Sequence, residues 1–151
     1  CGGCPLAGRC LALAAGTVGV RPVKQGRGKM RDRWFNYLHV TCGGQTLLHR
    51  RGGGDIWQGL YEFPLIETDK AADFAELAAT AAFRELLGNG RWHLRRSVTM
   101  PGHQLSHQLL HAVFHRIECD AMPAFPSVET AALGGYALPR LVDRYLTKYQ
   151  M

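Results

Sequence analysis

The sequence predicts an α+β domain with a largely antiparallel sheet and at least two helices. Residues 107–118 alternate between two faces, as a long strand does. Apolar side chains within residues 71–87 recur at helical spacing, and Pro139 precedes a second pattern of this kind. With 151 residues and 46% hydrophobic content, the chain is long enough for one domain with a sizeable core.

The first half of the chain is interpreted as three successive parts. Residues 1–16 form a thiol-bearing turn, residues 17–33 a basic connector, and residues 34–151 the globular domain. Aromatic and β-branched side chains favour a strand over residues 34–40, and a turn at residues 42–45 leads into a returning strand over residues 46–50. Residues 55–65, rich in large apolar groups, Gly and Pro, predict an ordered loop and strand.

The second half alternates helices and strands. We expect a helix over residues 71–87, capped by Asp69 and ended by Gly88. A strand over residues 92–100 and a Pro101–Gly102 turn precede the long strand of residues 107–118. A helix that begins at Pro139 completes the chain.

Three cysteines cluster at the start of the sequence as C-x2-C-x5-C, at Cys1, Cys4 and Cys10. Thiolates suit zinc or iron–sulfur clusters, which normally take four protein ligands, so we expect a fourth ligand upstream in a longer protein. The isolated Cys42 and Cys119 are interpreted as small core residues. The odd cysteine count favours a reducing compartment, and no apolar run is long enough for a membrane span, so we expect a cytoplasmic protein.

The positive charge is concentrated in the connector. The net charge is +6, and six basic residues against one acidic residue give the segment 21–33 a charge of +5. Such a segment attracts a phosphate backbone, although a solvated linker has the same composition. The candidate backbone contacts are Lys24, Arg27, Lys29, Arg50 and Arg51.

Several motifs together resemble a known family. The C-x2-C-x5-C run with Pro5 and Leu6 is similar to the last three ligands of the 4Fe-4S motif of helix-hairpin-helix DNA glycosylases. The basic connector follows, and then G-D-I-W-Q-G-L-Y-E-F-P at residues 54–64 resembles the start of the C-terminal domain of MutY-type adenine DNA glycosylases. His103–His107 and Tyr136–Pro139 resemble that family's Ser-His loop and its A-L-P segment.

This resemblance implies a fold and a function. It implies a Nudix-like domain, with a mixed, largely antiparallel sheet flanked by helices, that helps an adenine glycosylase recognise 8-oxoguanine paired with adenine in duplex DNA. The catalytic residues of that family lie upstream, so the chain itself is expected to be non-catalytic and monomeric, with its 4Fe-4S cluster absent or incomplete. The implied lesion-recognition residues are His103, Leu105, Ser106 and His107. The same four residues also fit a simple polar turn before a strand.

Other functions stay open at this point. Glu76, Arg84 and Glu85 match part of the Nudix pyrophosphohydrolase motif, but its paired glutamates fall on Gly88 and Asn89, so a solvated helix face is the simpler interpretation. A protein-interaction module without a nucleic-acid role is a further alternative, and protein partners of the connector are considered too. Histidines spaced by four on a strand lie roughly 13 Å apart, too far to share a metal ion.

Overall fold

Two long parallel strands form the centre of the sheet. The structure is a computed structural model, and it describes residues 1–23, 30–88 and 90–149. Strand β1 (Arg31–Cys42) pairs in parallel with β8 (Gln108–Cys119), with Arg31 beside Gln108 and Thr41 beside Glu118. Seven of the twelve β1 residues are buried, as expected for a strand covered on both faces.

The remaining strands pair antiparallel, and all of them except one, of eight residues, are short. Their bounds are β2 Gln45–Leu47, β3 His49–Arg50, β4 Tyr61–Glu62, β5 Leu65–Thr68, β6 Trp92–Thr99, β7 His103–Gln104 and β9 Ser127–Glu129. The main sheet has the order β6-β8-β1-β2-β9, with β5 also on β1 and β7 also on β8, while β3 and β4 form a separate pair. The sheet is therefore mixed and largely antiparallel with flanking helices, which confirms the predicted fold class.

The β1–β2 hairpin turns where the sequence predicts it. Gly43 and Gly44 have φ values of +53° and +85°, the left-handed pair that a tight two-residue turn requires. The returning strand differs from the prediction for residues 46–50, because the chain leaves the main sheet after Leu47 and His49 joins β4 instead. The strand predicted from residue 34 also differs, since β1 begins at Arg31.

Four helices are described: α1 (Leu11–Ala14), α2 (Phe74–Ala78), α3 (Ala81–Leu87) and α4 (Arg140–Tyr149). The single helix predicted over residues 71–87 is wrong, because the Thr80 hydroxyl accepts a hydrogen bond from Phe83 N and starts a new helix. Asp73 rather than Asp69 caps α2, in a reciprocal capping box with Glu76. Gly88 ends α3 at φ +59°, and α4 follows Pro139, both as expected.

Helices cover both faces of the sheet. Buried residues of α4 pack with Phe35, Tyr37 and Phe114 on one face, and α2 and α3 pack with Leu38 and Val40 on the other. Odd and even positions of β1 thus belong to different cores, as the pleat requires. None of the helices within the described ranges is both long and apolar enough to cross a membrane.

Candidate functional site

A short hairpin presents the residues that the Ser-His motif singles out. Gln104 of β7 pairs with Leu109 of β8, and the turn between these strands is closed by a hydrogen bond from Leu105 N to Gln108 O at 2.8 Å. Ser106 and His107 lie at the tip and are exposed, whereas Leu105 is half-buried and packs against the core. The hairpin therefore offers a hydroxyl and an imidazole to solvent from a fixed base.

The G-D-I-W-Q-G loop supports this hairpin from one side. The Trp57 ring lies 5.8 Å from the His103 ring and 6.4 Å from the Phe35 ring, between centroids. Trp57 has φ +61°, a left-handed conformation that is unusual for a bulky residue. A hydrogen bond from Arg31 N to His107 O at 3.1 Å ties the tip of the hairpin to the start of β1. Trp57 and His103 belong to two different motifs and are 46 positions apart in sequence, but they are adjacent in the fold.

A buried arginine holds the Trp57 loop in place. The Arg33 side chain is 6% exposed, and its guanidinium donates to both carboxylate oxygens of Asp55 at 2.7 and 2.8 Å. It also bonds the carboxylate of Glu67 on β5 and, at 3.1 Å, the side-chain oxygen of Gln108 on β8. Arg33 thus joins the loop to three strands. From the sequence alone, Arg33 is only the last positive charge of the basic connector.

The electrostatics of this network favour the ionised carboxylates. Hydrogen bonds from Arg33 hold the pKa of Asp55 well below its usual range and lower the pKa of Glu67. The pKa of Arg33 is raised by its hydrogen bonds to Glu67 and Asp55.

The pKa of His103 is lowered by burial first and by Arg144 second, so its imidazole is neutral at physiological pH and offers one donor and one acceptor.

The candidate phosphate contacts fall into three cases. Lys24, Arg27 and Lys29 lie outside the described residues. Arg50 is exposed, with its Nε donating to Gly59 O at 3.0 Å, so its charge faces solvent. Arg51 has a side chain that is 11% exposed and bonds Asp55 at 2.6 Å and Glu62 at 2.5 Å, so its guanidinium is engaged inside the fold. Among the described candidates, only Arg50 is placed to meet a phosphate.

The thiols at the start of the chain do not form a ready cluster site. Cys1 and Cys4 are exposed and Cys10 is half-buried, and all three are free thiols. In the part of the chain that the structure describes, no group of three or more His, Cys, Asp or Glu side chains is arranged to hold a metal ion. Three thiols are also one fewer than the usual ligand set, so these residues alone do not fit a 4Fe-4S cluster.

The residues of the partial pyrophosphohydrolase motif lie on α2 and α3, on the face of the sheet opposite α4. Two of them have structural roles there. The Glu76 carboxylate accepts from Asp73 N at 3.0 Å in the capping box of α2, and Arg84 donates to Ala79 O at 2.9 Å. Glu85 is exposed. Of the histidines spaced by four, namely His103, His107, His111 and His115, His111 bonds Asp32 at 2.8 Å and His115 bonds Ser97 at 2.8 Å.

Comparison with known proteins extends this picture. Residues 36–148 match the family model described as the NUDIX domain. A search of curated protein sequences finds no match. The search of solved structures finds folds of the same kind, and three of them are 12–16% identical to this chain.

Three of these structures cover most of the chain. The C-terminal domain of mouse MUTYH, solved in complex with human PCNA, superposes with a TM-score of 0.60 at 16% identity, over 80% of this chain and 88% of that one. The E. coli ORF135 protein gives 0.59 at 16%, over 80% and 90%. The Nudix hydrolase RenU of M. smegmatis gives 0.57 at 12%, over 82% and 85%. At these identities, the likeness shows the fold alone.

Proposed function

The chain belongs to the NUDIX domain family, and from this premise we propose that it recognises 8-oxoguanine opposite adenine in duplex DNA, as the C-terminal domain of a MutY-type adenine glycosylase. The observation that carries the proposal is the exposed Ser106–His107 tip, which stands on a hairpin braced by the Trp57 loop. The likeness to the mouse MUTYH domain supports a fold of this kind. Base excision itself would belong to the helical domain of the parent enzyme, and the role implies an intracellular protein.

The tip has the chemistry to distinguish an oxidised guanine. Guanine offers an acceptor at N7, whereas 8-oxoguanine carries a hydrogen there and a carbonyl at C8. A Ser106 hydroxyl can accept from the new N–H, and the imidazole N–H of His107 can donate to an oxygen. Leu105, packed against the core, would provide the apolar flank of the turn. A site that pairs with a polar group rejects the base that lacks it.

Binding on the lesion strand would also assist catalysis on the other strand. A glycosylase that extrudes adenine must unstack and unpair it, at a cost of a few kcal/mol. Contacts to the opposite 8-oxoguanine offset part of that cost only if the contacting groups are already ordered. The Arg33 network, which fixes the Trp57 loop under the hairpin, supplies this order.

Nucleotide pyrophosphohydrolysis is the alternative from the enzyme class, since RenU is a Nudix hydrolase of similar fold. That reaction requires carboxylates gathered around divalent cations. Glu76 caps its own helix instead, and the described residues contain no gathered donor group. We expect no magnesium-dependent release of pyrophosphate from 8-oxo-dGTP, and measurable turnover would favour this alternative.

The experiment is a comparison of affinities. The chain is titrated with duplexes that contain 8-oxoguanine:adenine or guanine:adenine at one position. Two hydrogen bonds worth about 1 kcal/mol each predict a preference for the lesion of about 30-fold. The Ser106→Ala/His107→Ala variant should lose this preference and still bind both duplexes.

The control replaces the same residue types elsewhere. His93 and Ser127 are exposed and lie away from the hairpin, so the His93→Ala/Ser127→Ala variant should keep the preference of the wild type. An unchanged preference in the Ser106/His107 variant would contradict the proposal. Failure of the wild type to bind duplex DNA at physiological salt would favour the protein-interaction module.

A further inference from the structure

The outer face of α4 carries a row of positive charges. Arg140, Arg144 and Lys148 are exposed, while Leu141 and Tyr145 on the inner face are buried. Residues four apart lie on one side of a helix, about 6 Å apart along its axis, so the row extends over about 12 Å. The charges are therefore strung along a line rather than directed at one point.

Most of this charge is not neutralised within the protein. Arg140 pairs with Asp143 at 2.7 Å, but Arg144 and Lys148 have no carboxylate within 4.0 Å among the residues that the structure describes. The charge of Arg33, by contrast, is balanced by the two acidic side chains of Asp55 and Glu67. Arg144 and Lys148 are thus free to meet an anionic partner.

The row continues from α4 onto the sheet. The Lys148 ammonium lies 5.3 Å from the centre of the Tyr149 ring, and the Arg96 guanidinium of β6 lies 5.8 Å from the same ring. Arg96 also donates to the main-chain carbonyl of Tyr149, which fixes the end of the helix against β6. Because Arg140 is paired with Asp143, we define the α4 basic row as Arg144 and Lys148 of α4 together with Arg96 of β6.

A groove connects this row with the lesion-recognition hairpin. A cavity of about 440 Å³ separates α4 from the segment that leads into β7, and Gly102, His103, Arg144 and Lys148 are among its lining residues. His103 therefore contributes to both features: its ring contacts Trp57 at the base of the hairpin, and it lines the groove beside Arg144. The lowered pKa of His103, caused in part by Arg144, agrees with this proximity.

We propose that the α4 basic row binds the phosphate backbone of the duplex whose lesion the hairpin recognises. One DNA strand carries a phosphate every ~3.4 Å of helix axis, a linear charge that matches a row of side chains better than a single small anion does. Such contacts fix the position of the duplex and carry no base information. This inference rests on the proposed function and adds the surface that orients the DNA.

The test measures the salt dependence of binding. The Arg144→Ala/Lys148→Ala variant removes two charges from an exposed helix face, and alanine favours the helix, so the fold is retained. Its control, Arg84→Ala/Arg91→Ala, removes two exposed charges from α3 and from the residue before β6. For each protein, the affinity for 8-oxoguanine:adenine and guanine:adenine duplexes is measured at several concentrations of KCl.

The expected result is a change in slope without a change in specificity. Each lost phosphate contact lowers the slope of log affinity against log salt by about 1, so the row variant should lose about 2. Both duplexes should be weakened equally, and the control should keep the slope of the wild type. A row variant with the slope and affinity of the control would overturn the inference and assign the row to another partner, such as an acidic protein segment.

The two proposals fail in different ways. Absence of a lesion preference in the wild type overturns the proposed function, while the slope still reports on the row. An unchanged slope overturns the row, while the preference still reports on the hairpin. If the wild type binds no duplex even at low salt, both proposals are wrong.

Discussion

Replacement of Arg33 by alanine should destabilise the protein far more than an ordinary loss of an ion pair. The Arg33 guanidinium bonds Asp55 and Glu67 and lies 4.7 Å from the centre of the Phe35 ring. Removal of one partner of a buried ion pair costs about 3–5 kcal/mol. Asp55 and Glu67 are 36% and 34% exposed, so they stay partly hydrated, and we expect a smaller loss of about 2–3 kcal/mol.

The assay is urea unfolding, supported by thermal denaturation. For a chain of this length, the expected loss lowers the melting temperature by about 6–9 °C, at about 3 °C per kcal/mol. The matched control is Arg95→Ala, whose partner is Glu118 and whose pair is 60% and 49% exposed. The control should lose at most about 0.5 kcal/mol.

The pH dependence of the same variant gives a second measurement. The pKa values of Asp55 and Glu67 are lowered in the fold from 3.8 and 4.5, so their contribution is present above these values and is lost as the pH falls below about 4.5. Arg33→Ala should show a weaker loss at acid pH than the wild type. If Arg33→Ala does not fold, Arg33→Lys is measured instead, because it keeps the charge without the paired geometry. Its stability should lie between those of the wild type and Arg33→Ala. Equal stability of Arg33→Ala and Arg95→Ala would refute the reasoning.

Two further predictions concern stability elsewhere. Burial lowers the pKa of His115 from 6.5 to about 4. The free energy of unfolding of the wild type should therefore fall as the pH drops through this range, by up to about 1.4 kcal/mol per pH unit from this group. The His115→Gln variant should show a flatter dependence of the urea midpoint on pH. An equally steep profile in the variant would exclude this origin. Gly44→Ala should lose about 1 kcal/mol because of its φ of +85°, and Gly134→Ala, at a glycine without positive φ, serves as the control in the same assay.

Local patterns predict several elements well because the causes of these elements are local. The alternation of β8, the glycine turn after β1 and the start of α4 at Pro139 all depend on residues within a few positions of one another. The helix break at Thr80 also has a local cause, but the spacing of the apolar side chains does not reveal it. A hydroxyl that can cap a new helix is compatible with the same pattern of apolar side chains.

The sequence predicts the exposed residues of the candidate site but not the contacts that support them. The Ser106–His107 pair stands out as a motif, but its support depends on contacts between distant residues. Arg33 bonds Asp55 and Glu67, 22 and 34 positions away, and so belongs to the interior although it lies in the basic segment 21–33. Arg51 is engaged in the same way. The α4 basic row emerges only when the helix is folded onto the sheet beside His103.

Amide NMR shifts test most directly whether the hairpin tip recognises the lesion. The ¹⁵N-labelled chain is titrated with an 8-oxoguanine:adenine duplex and with a matched guanine:adenine duplex. We predict that the shift differences between the two complexes are largest at Ser106 and His107, while the α4 basic row responds to both duplexes alike. Differences absent from the tip, or concentrated on α2 and α3 across the sheet, would contradict lesion recognition by the tip.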